Sequence, residues 1–203
     1  MNRPSPLSRL AICCASFLLF SLSFQLNGLL DSFALYAPGV NLVFVPAGIK
    51  LVCLLVGGEA AALGLVLSSV HASLGVWQDT SLAEMISFAI ASIGSYYLTL
   101  KLASRLMGID HTLSNLRYWH IMILCVLVSL ANGTIQNIVY LVQQKVLPQD
   151  LLASTAAMVL GDFLGCFIVI SLFNVGIDMV LALLHRSEPD QSGFHRVAAY
   201  LRR

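Results

Sequence analysis

Lys50 and Asp162 are the two residues most able to do chemistry, because each is ionisable and lies deep inside a long apolar block. An ionisable group at the centre of a membrane span costs roughly 2.5–3.5 kcal/mol on insertion scales. Such a residue therefore faces protein or water, and it often marks a function. His71, Asn132, Gln136 and Asn137 also sit inside apolar blocks and supply further hydrogen-bonding groups. Together they suit either a ligand or ion site with Lys50, His71, Asn132, Gln136 and Asp162 as contacts, or structural glue between helices. The backbone near Lys50 tilts the balance toward a site. Pro38-Gly39 and Pro46-Ala47-Gly48 interrupt the start of its block. A helix beginning near Pro46 would aim its positive end and Lys50 into one region, as half-helices do in anion sites.

The elements that must position these residues follow from composition. The 203-residue chain is 58% hydrophobic and only 10% charged. A soluble domain needs more charge to cover its surface. The apolar residues fall in blocks long enough for spanning helices, which need about 20 residues for a bilayer core of about 30 Å. The blocks are residues 10–30, 41–58, 59–77, 81–100, 120–142 and 151–184. Gly57-Gly58-Glu59 marks a tight turn between the second and third. The first block follows Arg3 and Arg9. It is too long for a typical signal peptide, despite a cleavage-like triplet at Ser32-Phe33-Ala34, so it is expected to be retained. The last block amounts to about 51 Å of helix, which requires projection into the cytoplasm or a bend near Asn174 to Gly176.

The expected fold is all-α: a polytopic transmembrane bundle of about six spans with both termini cytoplasmic. In that orientation Arg3, Arg9, Lys101, Arg105, Arg117, Arg186, Arg196, Arg202 and Arg203 lie inside, and Lys145 lies outside. That distribution obeys the positive-inside rule. Residues 1–186 form one membrane domain, and 187–203 form a cytoplasmic tail. Phe194, Val197, Ala198 and Leu201 give the tail the spacing of a short interfacial helix.

Spans two and six run in the same direction, which puts Lys50 and Asp162 near the midplane as an expected ion pair. Gly161 and Gly165 flank the acid with a spacing that lets a neighbouring helix approach closely, and Pro46 and Gly48 are expected to pack likewise. The five cysteines, Cys13, Cys14, Cys53, Cys125 and Cys166, have no metal-ligand spacing and read as small packing residues. Asn132-Gly133-Thr134 matches a glycosylation sequon but lies within a span. No P-loop, HExxH, GxSxG or zinc motif occurs, so neither an enzyme nor a cofactor or metal is expected. His111, His120, His185 and His195 are not clustered like ligands.

Residues 41–58, with Pro46-Ala47-Gly48 followed by an aliphatic run and Gly57-Gly58, resemble the first class of bacterial membrane-associated sensor domains (MASE). Gly161-Asp162 followed by Gly165 is similar to a Gly-Asp-x-x-Gly in the last span of those domains. The resemblance implies an all-helical sensory module in the bacterial inner membrane, usually fused to an output enzyme. This chain departs from the pattern in three ways. No output domain is expected after the last apolar block, Lys50 replaces an apolar residue, and the proline after the Gly-Asp motif is missing. It is therefore expected to bind a small ligand and act through a separate partner. The 101–119 connection and the tail are the candidate contacts, beside the lipid bilayer and with no nucleic acid. A transport component like the substrate-binding subunits of energy-coupling-factor transporters, and a non-catalytic assembly subunit, are the alternatives.

Overall fold

Long apolar runs bounded by capping residues dictate the architecture. In the computed structural model, which describes residues 5–77, 79–110 and 112–187 (side chains only to 176 in the last helix), α1 spans Pro6–Gly28. Its N-cap is Ser5, whose hydroxyl accepts the Ser8 amide, and Pro6 occupies the first turn, where no amide partner is needed. A one-turn helix α2, Asp31–Ala34, leads into strands β1, Leu35–Ala37, and β2, Val40–Asn41. These strands pair antiparallel around Pro38-Gly39, and Gly39 has φ +77°, the conformation that position of such a turn demands. This small hairpin was not anticipated. Then come α3, Val45–Val76; α4, Leu82–Leu106, opened by a Ser81–Glu84 capping box; α5, Tyr118–Val142; and α6, Leu151–Ser187.

Helix α3 is broken at Gly58, whose φ of 53° and ψ of −129° lie outside the helical region. A straight helix of its length would separate its ends by about 48 Å. Instead Gly39, just before α3, sits so close to Trp77, just after it, that a Cβ on the glycine would approach the indole to 3.0 Å. The two halves thus return on each other, with the tight turn at the expected glycines. Helix α1 packs along both halves: Gly57 meets Ile12, Gly64 meets the Cys13 carbonyl, and Asn27 caps Val45. The outer faces of the bundle are apolar and exposed, as at Leu18, Leu22, Leu63, Leu98 and Leu172. Apolar surface on that scale needs lipid to cover it. Five helices are long and apolar enough to cross a membrane, and the chain is a multi-pass membrane protein.

Helix α6 runs as one helix through Asn174 to Gly176. The expected interfacial helix of the tail lies outside the described residues. All five cysteines are unpaired.

Candidate functional site

The core of the bundle holds a polar chain that joins α3, α4, α5 and α6. Lys50, one turn into α3, is only 2% exposed. Its Nζ donates to Ser92 Oγ of α4 at 2.9 Å. The ammonium also lies 4.7 Å from the ring centroid of Tyr96, 5.2 Å from Phe44 and 6.0 Å from Phe20. Aromatic faces carry negative charge density, and a desolvated cation gains about 2 kcal/mol from such a contact.

Asp162 on α6 is 1% exposed. Its Oδ2 accepts from Asn132 Nδ2 of α5 at 2.6 Å and from the Tyr96 hydroxyl of α4 at 3.1 Å. Asn132 in turn accepts from Ser95 at 3.2 Å. The expected contact ion pair does not form: no Lys50 nitrogen comes within 4.0 Å of an Asp162 oxygen. Tyr96 stands between them, presenting its ring to the ammonium and its hydroxyl to the carboxylate. The two charges are therefore linked through one side chain. Each also has neutral partners of its own, which lessens the cost of burial without direct contact.

Gln136 lies one turn beyond Asn132 on the same face of α5 and is 6% exposed. Its Oε1 has no hydrogen-bond partner. A buried carbonyl oxygen left this way costs free energy unless something outside the protein donates to it. Lys50, Ser92, Asn132, Gln136 and Asp162 all line one cavity of about 480 Å³. Leu35, Pro38, Gly39 and Asn41 of the hairpin join its lining. Phe20, Phe24, Phe44, Trp77, Phe88 and Tyr140 supply much of the wall. Of these, Trp77, Phe88 and Tyr140 pack on one another with centroids 4.9 to 5.7 Å apart.

Three sequence expectations require correction. His71 is exposed on the outside of the bundle, 6.2 Å from the Phe17 ring, and does not line the cavity. Asn137 does not either: it donates to the Gly133 carbonyl and accepts from Ser154 at 2.6 Å, tying α5 to α6. The positive end of α3 is not free to meet a ligand, because Asn27 Oδ1 already accepts the Val45 amide at 2.9 Å.

The glycine motif packs, but against extended chain instead of a helix. A Cβ at Gly161 would strike the Asn41 carbonyl oxygen, and one at Gly165 would strike that of Phe44. The Phe44 amide donates to the Gly161 carbonyl at 3.0 Å. Residues 41–45 thus lie in the groove that the glycines open, which delivers the buried Pro46 and Lys50 into the bundle. Gly48 meets Val169 and the Gly165 carbonyl on the same face.

Sequence reading missed Ser92, Tyr96, Trp77 and Tyr140. Small hydroxyls and aromatics are ordinary in spans and carry no burial cost that would single them out. A periodic signal does exist. Asn132, Gln136 and Tyr140 recur every fourth residue on α5, and Ser69, Ala72, Ser73 and Val76 share a stripe on α3 that His71 falls off.

Comparison with known protein families, with curated proteins and with solved structures finds no match to this chain. Among the described residues, no three His, Cys, Asp or Glu side chains gather as metal ligands.

Proposed function

We propose that the chain is a sensor-like protein of the bacterial inner membrane that binds a small ligand in its helical bundle and passes the signal to a separate partner. In this reading the two halves of α3 each cross the bilayer, making six crossings with both termini cytoplasmic. The placement of arginine and lysine supports that orientation. The cavity then opens toward the outside, beneath the Leu35–Asn41 hairpin. The observation that carries the reading is the buried Gln136 oxygen without a donor, in a cavity whose wall also holds Lys50 and Asp162.

The 101–119 connection is the proposed partner surface. It is held in shape by Asn115, which donates to the Gly108 carbonyl at 2.7 Å and accepts from the Asp110 amide at 2.9 Å. A fixed loop loses little entropy on docking. The resemblance to membrane-associated sensor domains agrees with this reading. A substrate-binding transport subunit is the second reading, favoured by the hairpin that lines the cavity at its proposed outer end.

Two experiments test the proposal. Gln136→Cys, in a background without the native cysteines, should react with a small membrane-impermeant thiol reagent added from outside. Crosslinkers placed at Ser104 or Ser114 should capture a kinase, cyclase or phosphodiesterase. Capture of an ATPase module would favour transport, and a Gln136→Cys that reacts only from the cytoplasmic side would reject the outward-facing site.

A further inference from the structure

From the charge balance of the cavity, we infer that its ligand is a small zwitterion with an apolar or aromatic side chain, of the amino-acid type. The inference rests on the reading of the cavity as a ligand site and adds the chemistry of the occupant.

The buried part of the cavity wall holds one cationic and one acidic side chain, Lys50 and Asp162; the other acidic lining residue, Asp31, is exposed and accepts from the Asn41 side-chain amide. When both are ionised this buried part of the site carries no net charge. A lone anion or a lone cation would bring a net charge against a wall that is mostly apolar, at a desolvation cost. A ligand with both charges adds none. It is also held in one sense only: its anionic group toward the ammonium of Lys50, its cationic N–H group toward the acceptors.

Those acceptors are present and underused. Gln136 Oε1 has no donor. Asp162 receives both of its hydrogen bonds at Oδ2, which leaves Oδ1 without a donor among the described residues. An ammonium brings up to three N–H donors and suits acceptors of this kind. Lys50 spends one donor on Ser92, and its remaining N–H groups face aromatic rings instead of oxygen. A carboxylate is a better acceptor for them than a ring face. The rest of the wall is apolar and aromatic, which fits a hydrophobic side chain on the ligand. The volume of about 480 Å³ is that of an ordinary small-molecule pocket.

The test uses the full chain purified in detergent or nanodiscs and three matched probes. They are L-phenylalanine, phenethylamine, which lacks the carboxylate, and 3-phenylpropionate, which lacks the ammonium. Saturable binding is read by calorimetry and by the shift in thermal unfolding. L-Phenylalanine should bind, and each truncated analogue should bind at least roughly tenfold more weakly. Gln136→Leu removes the whole side-chain amide; in variant protein that keeps the parent's thermal unfolding, affinity for L-phenylalanine should fall roughly tenfold. Equal binding of the zwitterion and either analogue would overturn the inference. So would unchanged affinity in Gln136→Leu, or no binding of any probe up to about 10 mM. If no probe binds while Gln136→Cys still reacts from outside, the zwitterion fails and the outward-facing cavity stands. If the cysteine is also unreactive, the site itself fails.

Discussion

Asn132 and Asp162 are joined by a 2.6 Å hydrogen bond that ties α5 to α6 inside the apolar core. The carboxylate has one other donor, the Tyr96 hydroxyl. Removing either donor leaves a buried acidic group with half its support. Asn132→Leu is expected to destabilise the bundle by about 1–3 kcal/mol. Tyr96→Phe keeps the ring beneath Lys50 and loses only the hydroxyl, so it should cost less than Tyr96→Leu, which removes both functions. Equilibrium unfolding of the purified protein measures the ranking. Equal costs for the two Tyr96 variants would show that its ring does nothing for Lys50.

The glycines divide sharply by what surrounds them. A methyl group at Gly161 or Gly165 would run into backbone carbonyls of Asn41 and Phe44, which cannot rotate away. Gly161→Ala and Gly165→Ala should each cost about 1–3 kcal/mol or more and disturb the path of residues 41–45. Gly94, inside α4, has nothing within 4 Å of such a methyl. Gly94→Ala should be neutral, or stabilising by up to about 1 kcal/mol through helix propensity. Thermal unfolding in detergent compares the three. A tolerated Gly161→Ala would mean that residues 41–45 do not lie in this groove.

Membrane topology gives a prediction independent of side-chain detail. Reporter fusions after Arg186 and within 101–119 should report the cytoplasm, and fusions at Thr80 and Gln144 the outside. A cytoplasmic signal at Thr80 would mean that the return of α3 at Gly58 is not a second crossing.

The bundle was legible because membrane spans must be continuously apolar, and the turn at Gly57-Gly58 because only glycine readily combines a φ of 53° with a ψ of −129°. Lys50 and Asp162 were legible from the cost of burying charge. Their actual relation was not. Sequence position along a span fixes depth, but it leaves open the direction a side chain takes around the helix axis. Lys50 and Asp162 share a depth and still point to different partners, with Tyr96 between them. His71 shows the same limit: it was placed at a plausible depth, yet it sits on the outer face beside Phe17. The hairpin at Leu35–Asn41 escaped notice because two short strands leave almost no periodic pattern, although Pro38-Gly39 marked its turn.

The central claim is that Lys50 and Asp162 act as one electrostatic unit across Tyr96, and a double-mutant cycle tests it most directly. Lys50→Met and Asp162→Asn each leave the other charge buried without its counterpart, and each should lower the unfolding free energy by about 3 kcal/mol. The double variant leaves neither charge and should be less destabilised than the sum of the two, by about 1 kcal/mol or more. That coupling should shrink in a Tyr96→Leu background if the ring and hydroxyl transmit it. Strictly additive losses in the unfolding free energy would contradict the account and leave two independent buried groups, each held by its own neutral partners.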